Sequence, residues 1–231
     1  MYSKLQKKCL DANLQLPKLG LVLYTFGNVS CADREAGVFA IKPSGVSYDE
    51  LKAEDIVIVN FNGEVVHGKL RPSSDTPSHA VLYRNFPQIN GIVHTHSTYA
   101  TSWAQSQRAI PIYGTTHADH LPCAIPCTPQ MSDERINGDY EVETGLQIIE
   151  HFQALGLNPD EVEMVLVGGH GPFTWGKDAE KAVYNARVLE ELAKMAFLTE
   201  TINPQITELK KSIINKHYQR KHGKDAYYGQ K

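Results

Sequence analysis

Gly91-Ile92-Val93-His94-Thr95-His96-Ser97 is the stretch from which both the fold and the chemistry of this chain are read. An apolar pair leads into two histidines separated by one residue. At the end of a β-strand successive side chains alternate faces, so His94 and His96 are expected to point the same way, with Cα atoms about 6–7 Å apart. Two imidazoles at that spacing can lean onto one metal ion, and neutral imidazole is the commonest metal ligand. The pair alone decides little, because ten histidines in 231 residues give about 0.4 such pairs by chance. A third ligand on another element, and a pocket beside it, are needed.

Outward from the histidines, Asn90-Gly91 leads the chain into the strand and Thr98 to Gln107 reads as a helix after it. Before it, Arg71-Pro72-Ser73-Ser74-Asp75 is a polar turn, and Thr76 to Phe86 suits a helix with Pro77 in its first turn. Nearer the N-terminus, residues 3–15 carry apolar groups at helical spacing that Pro17 ends. Leu21 to Thr25 and Val38 to Ile41 read as strands, and Ser47 with Glu50 forms a capping box for a short helix. Ile56 to Phe61 and Glu64 to Val66 flank Asn62-Gly63, the strongest short hairpin signal. Downstream, Thr115 to Cys127 is irregular, and Thr144 caps a helix through Leu155 that Gly156 stops. Met164 to Val167 is an apolar strand ending at Gly168-Gly169-His170-Gly171-Pro172. Asp178 caps a long helix to about Ile202, and Pro204 opens another towards His217. With no linker, repeat or low-complexity tract, the expectation is one α/β domain over residues 1–231, a central mixed or antiparallel sheet flanked by helices.

Composition narrows the function. The chain is 42% hydrophobic and 21% charged with net charge −3, which disfavours a nucleic-acid or membrane-surface partner. An anionic substrate would need a local basic site. The first eight residues, Met1 to Lys8, are too polar for a signal sequence, and no apolar run is long enough for a transmembrane helix. Cys9, Cys31, Cys123 and Cys127 form no disulfide framework and no paired zinc motif; buried thiols in a reducing cytoplasm are expected.

His170 supplies the third candidate ligand. It ends a second apolar strand among glycines that leave room beside the backbone, and three fixed ligands with an open position suit a catalytic metal. Nitrogen and oxygen donors favour Zn²⁺, with Mn²⁺ or Fe²⁺ as substitutes. Asp75 could be a fourth ligand, a proton carrier or the cap of the helix after it. Asp119, in Thr115-Thr116-His117-Ala118-Asp119, is either an acid/base or a solvated loop carboxylate. Gly27-Asn28, Ser44-Gly45 and Ser73-Ser74 are turns whose N–H groups and small or hydroxyl side chains suit a phosphate, and Lys42 adds positive charge. The tail from His217 to Gln230 is basic and unusually aromatic. It is either a mobile end or a packed segment that delivers a phenol as a general acid or base.

Taken together, Thr25-Phe26-Gly27-Asn28-Val29-Ser30, Ile41-Lys42-Pro43-Ser44-Gly45-Val46, Pro72-Ser73-Ser74-Asp75-Thr76, the His94-Thr95-His96 stretch, Gly114 to Asp119, His170-Gly171-Pro172-Phe173 and Ala226-Tyr227-Tyr228-Gly229-Gln230 resemble the L-ribulose-5-phosphate 4-epimerase family. That family lies in the class II aldolase/epimerase (adducin-like) superfamily, and the resemblance runs essentially end to end. It implies a three-layer class II aldolase-like fold. It also implies a zinc site of His94, His96 and His170 with Asp75 beside or on it, and substrate held by Gly27, Asn28, Lys42, Ser44, Gly45, Ser73 and Ser74. Asp119 and Tyr228 would move protons on opposite sides of the substrate. The chain would form a homotetramer in which the tail, residues 215–231, brings Tyr228 and His217 into a neighbour's site.

The implied reaction inverts C4 of L-ribulose 5-phosphate to give D-xylulose 5-phosphate, in arabinose or ascorbate catabolism. C4 is β to the ketone and carries no acidic hydrogen. Cleavage of C3–C4 to an enediolate and glycolaldehyde phosphate, followed by attack on the other aldehyde face, avoids that obstacle, with the metal offsetting the developing charge. The rivals are a class II aldolase, whose relatives carry glutamate where this chain has Asp75; a Schiff base at Lys42; and a non-catalytic adducin-like domain. Two segments depart from the family pattern: His120-Leu121-Pro122-Cys123-Ala124, where relatives have aromatic residues, and Gly168-Gly169, where they have a bulkier pair.

Overall fold

Sixteen elements follow one another in the computed structural model, which describes residues 2–229; Met1 and, in the tail motif, Gln230 and Lys231 lie outside the described residues. In chain order they are α1 (Ser3–Asn13), α2 (Gln15–Lys18), β1 (Asn28–Asp33), β2 (Val38–Ile41), β3 (Val57–Asn60), β4 (Val65–His67), α3 (Thr76–Asn85), β5 (Gly91–His94), α4 (Thr98–Gln105), α5 (Thr115–Ala118), α6 (Asp133–Ile136), α7 (Tyr140–Leu155), β6 (Met164–Val167), β7 (Gly171–Gly176), α8 (Ala179–Ile202) and α9 (Lys211–His222). A 3₁₀ turn, Ala53–Asp55, precedes β3. The strands make one seven-stranded sheet in the order β4-β3-β2-β1-β5-β7-β6.

Every ladder is antiparallel, which decides between the mixed and antiparallel expectations. Parallel pairing occurs at an isolated bridge, Cys127 with Leu166. Antiparallel sheets often leave one face wet; here both are covered, so the central strands are apolar on both faces. Along β2, Phe39 and Ile41 join a core with residues of α3, α4, α7 and the far half of α8. Val38 and Ala40 join a second core with α1 and the near half of α8. Period-two alternation sorts these neighbours onto opposite faces. The result is an α/β layered fold with helices on both sides of the sheet.

Several local expectations are corrected. Leu21 to Thr25 is not a strand: Leu23 and Tyr24 are 67% and 85% exposed, with Tyr24 at φ 52°, so the segment lies outside the sheet as a loop. Its apolar character mimics a buried strand. Pro17 does not end helical structure but sits inside α2, after a break at Leu14. Ser47 does meet Glu50, Oγ to Oε2 at 2.9 Å, yet on a turn and not a helix. Helix α7 starts one turn ahead of Thr144, whose hydroxyl bonds back to the Tyr140 carbonyl at 2.9 Å. Pro204 precedes a non-helical stretch, and α9 begins at Lys211. Gly171-Pro172, expected only to follow a strand end, opens β7, a strand the sequence reading did not name, which pairs with both β5 and β6.

Candidate metal centre

Antiparallel pairing brings distant turns to one end of the sheet. β1 starts where β2 and β5 end, and β7 starts there too, since Ser30 faces Ile41, Asn28 faces His94 and His94 faces Phe173. Asn28 and His94, as cross-strand partners, share the α3 face. The 71–73 turn is tied to the 42–44 turn by Ser44 N–H to Arg71 O and Ser73 N–H to Lys42 O, both 3.0 Å.

His94 closes β5, and His96 lies two residues past it, outside the strand; the expected strand geometry for the pair therefore holds only at His94. The rings converge nonetheless. His94 Nε2 and His96 Nε2 are 3.1 Å apart. His170, on the three-residue turn between β6 and β7, packs its ring against both, with centroids 4.8 Å from His94 and 5.1 Å from His96. One ring nitrogen from each of the three lies within 4.8 Å of the others. The Nδ1–H of His94 donates to the Pro172 carbonyl at 3.0 Å, which leaves a lone pair on Nε2. Ligands at Zn–N distances of about 2.0–2.1 Å in a tetrahedron stand about 3.3 Å apart, so the donor set suits such an ion. Burial and the imidazoles of His94 and His96 hold the His170 ring down to about 3, and burial and His94 lower that of His96, so both are neutral donors at pH 7.

Two glycines make the convergence sterically feasible. A Cβ on Gly171 would stand 2.9 Å from Thr95 O, 3.3 Å from His96 Cδ2 and 3.5 Å from His94 Cε1. Gly27, at φ 76°, passes so close to the His94 carbonyl that a Cβ there would lie 2.8 Å from it.

Asp75 stands at the N-cap position of α3, but its side chain makes no cap bond. It turns to accept from Asn28 Nδ2 at 2.6 Å, and Asn28 Nδ2 also reaches Ser73 Oγ at 3.1 Å. Burial works upward on the Asp75 carboxyl, but His94, His79, the Asn28 bond and His170 outweigh it and hold it below its ordinary value. It is not in the group of mutually close donor atoms. The buried Oδ1 of Asn28 has no partner among the described residues.

A cavity of about 550 Å³ opens beside the histidines, lined by Gly27, Asn28, Lys42, Ser44, Gly45, Ser73, Ser74, Asp75, His94, His96 and His170. All three small-residue segments expected as turns therefore meet in one place, though Gly27-Asn28 is no turn, since Asn28 opens β1 and pairs with His94. Lys42 is only 2% exposed; its Nζ is 3.4 Å from the carbonyls of Thr25 and Pro43 and sits over the Tyr48 ring. Burial pushes its amine down to about 8. The lining also includes Ser78 and, from the first turn of α7, Tyr140, Glu141 and Thr144, which the sequence reading missed. Tyr140 OH lies 3.4 Å from His170 Nδ1. The displaced start of α7 hid them: spacing 140, 141, 144 is one helical face only once the helix begins at Tyr140.

Asp119 and Tyr228 are not among the residues lining that cavity. Asp119 ends α5 and is gripped by α9: His217 Nδ1 and Arg220 Nε reach Oδ1 at 2.9 and 3.0 Å, and Arg220 Nη2 reaches Oδ2 at 2.7 Å. Burial works upward on Asp119, but these bonds and Lys221 bring it down to about 2. The exposed Tyr228 ring lies over Arg220 and Lys221, and its N–H donates to Arg220 O at 3.2 Å. Among the departures noted in the sequence, His120 bonds Tyr184 of α8, and Gly168 lies against the Thr128 carbonyl. The four cysteines are free thiols, and no described helix is long and apolar enough to cross a membrane.

Fold and site together define an α/β protein with a three-histidine cluster at the end of an antiparallel sheet. The chain belongs to the Class II Aldolase and Adducin N-terminal domain family, which matches residues 7–197. It is similar in structure to an L-fuculose 1-phosphate aldolase (TM-score 0.78, 23% identity, covering 94% of this chain and 95% of that one). The L-fuculose-1-phosphate aldolase of Thermus thermophilus matches at TM-score 0.67 and 21% identity, covering 89% and 99% of the two chains. A sugar-phosphate aldolase from Thermotoga maritima matches at TM-score 0.65 and 18% identity, covering 87% and 96%.

Proposed function

We propose that the chain is a zinc-dependent L-ribulose-5-phosphate 4-epimerase, interconverting L-ribulose 5-phosphate and D-xylulose 5-phosphate by retro-aldol cleavage and re-addition. The observation that carries this reading is the junction, in one cavity, of three convergent histidines with three small-residue segments and a buried lysine. His94, His96 and His170 would hold the ion, with Asp75 beside it. When bound, a divalent cation supplies Lewis-acid stabilisation of the charge that C3–C4 cleavage develops. Ser44, Gly45, Ser73, Ser74, Gly27 and Asn28, with Lys42, hold the phosphate so that the aldehyde fragment stays in place while it turns.

Asp119 and Tyr228 are the proton carriers in this proposal. Asp119 is ionised in its pairing with Arg220 and so enters as acceptor, with the phenol as donor. Since both belong to the α5–α9 corner and not to their own chain's cavity lining, that corner is proposed to serve the cavity of a neighbouring copy in a homotetramer. The full chain, 1–231, acts as one domain in the cytoplasm.

A class II aldolase is the second reading, favoured by the activities named for the similar structures. The Asp75 carboxylate, short and engaged by Asn28, supports the epimerase instead. Zinc-loaded protein given L-ribulose 5-phosphate should accumulate D-xylulose 5-phosphate. Net release of dihydroxyacetone and glycolaldehyde phosphate as the main outcome would defeat the epimerase in favour of the aldolase.

A further inference from the structure

His94 is fixed from both sides by the sheet, being paired with Asn28 of β1 and Phe173 of β7. His96 has no such support. It lies on the three-residue connection between β5 and α4, where the Thr95 N–H contact with Pro172 O is long, at 3.4 Å. Its position therefore depends on where α4 begins.

That helix begins in an unusual way. Ser97 occupies the N-cap position with extended backbone, φ −63° and ψ 141°, as a capping serine does, yet its side chain makes no cap bond. Its Oγ is buried and without a partner among the described residues. The first-turn N–H groups go to another element. Glu190, in the middle of α8 and 8% exposed, accepts from Tyr99 N–H with Oε1 and from Ala100 N–H with Oε2, both at 2.9 Å. A carboxylate at a helix N-terminus also meets the favourable end of the helix dipole. Two strong bonds from one rigid helix thus clamp the residues three and four positions after His96.

We propose that Glu190 is a positioning residue for His96: by capping α4 in place of Ser97 it fixes the 95–97 connection so that the His96 ring stays in register with His94 and His170. The proposal rests on the reading of the three histidines as a metal site. Loss of the Glu190 cap frees two N–H groups that the idle Ser97 hydroxyl is placed to take, and a shift of Ser97 moves its neighbour His96. The Ser97 hydroxyl, making no hydrogen bond among the described residues, contributes nothing to the arrangement as it stands; the residue's carbonyl accepts the ordinary helical bond from Thr101 N–H at 2.9 Å.

The test is Zn²⁺ affinity by chelator competition, with thermal midpoints, for the full chain and four variants. Glu190→Ala should weaken Zn²⁺ binding about tenfold or more. Glu190→Gln keeps one acceptor oxygen and should fall between it and the wild type. Ser97→Ala should bind as the wild type does. Leu16→Ala, which empties a fully buried site in the α1 core, should lower the thermal midpoint without changing Zn²⁺ affinity. If Glu190→Ala does not fold, Glu190→Gln against Leu16→Ala carries the comparison. Wild-type Zn²⁺ affinity in both Glu190 variants overturns the proposal, as does an affinity loss no larger than that of Leu16→Ala. Wild-type protein that binds no Zn²⁺ overturns the metal reading itself, a result distinct from either.

Discussion

Substituting Gly171 by alanine separates the packing of the histidine cluster from the stability of the fold. Gly171 opens β7 opposite the end of β6, and the new Cβ would lie 2.9 Å from the Thr95 carbonyl oxygen, closer than real Cβ atoms come to such an atom. It would also press on His96 Cδ2 at 3.3 Å and His94 Cε1 at 3.5 Å. The oxygen belongs to backbone, so relief must come from parting the β5 and β7 ends. Overpacking of this kind costs about 1–3 kcal/mol, a fall of about 2–12 °C in thermal midpoint for a chain of this size. Spreading His94 and His96 away from His170 should weaken Zn²⁺ about 10–100-fold, as disturbance around a metal ligand generally does. A loosening of that size removes about 1.4–2.7 kcal/mol of zinc-dependent stabilisation at saturating metal. The assays are chelator competition and thermal unfolding with and without Zn²⁺. Gly171→Ala protein that is destabilised but binds Zn²⁺ as tightly as wild type would refute the steric argument.

His96→Asn should lose most Zn²⁺ affinity and turnover together; unchanged metal content and rate in purified protein would remove His96 from the site. Deleting residues 227–231 should lower kcat far more than zinc content, and a fully active truncation would take Tyr228 out of the mechanism. Asp119 has its folded value near 2, below the ordinary 3.8, so its stabilisation is complete above pH 3.8 and is lost as pH falls through about 2. Asp119→Asn should therefore be less stable than wild type by about 1 kcal/mol at pH 7, allowing for solvent screening, and the gap should close towards pH 2 in acid titrations of unfolding. Lys42, with its amine near 8, would bind phosphate as a cation in the proposed function. For this reason kcat/KM on the sugar phosphate should fall as pH rises through about 8, and Lys42→Arg should abolish that break; a wild-type profile flat from pH 7 to 9.5 would count against the role.

Local rules made much of this chain legible in advance. Asn62-Gly63 marked the β3–β4 hairpin, Asp178 marked the start of α8 through its bond to Lys181 N–H at 2.7 Å, and apolar runs marked β2, β3 and β6. The three histidines and the three small-residue segments could be picked out because each is a short motif whose chemistry lies in its own residues. Elsewhere the same rules misled. Leu21 to Thr25 has strand composition but no strand partner, and Asp75 has the position of a helix cap but not the bond.

What the sequence by itself determined, then, was the set of groups: imidazoles, hydroxyl-rich turns, a lysine and the elements that carry them. Only the tertiary structure decided how they are used. Antiparallel register put Asn28 opposite His94, and that placed an amide where it takes the Asp75 carboxylate from across 47 residues. Packing of α8 on α4 gave the cap of α4, just after His96, to Glu190 and left the Ser97 hydroxyl idle. The α5–α9 contact held Asp119 away from the cavity lining of its own chain. The reason is physical: periodicity and capping report on neighbours in sequence, whereas the partner a polar side chain takes is settled by competition among all the groups that folding brings within reach.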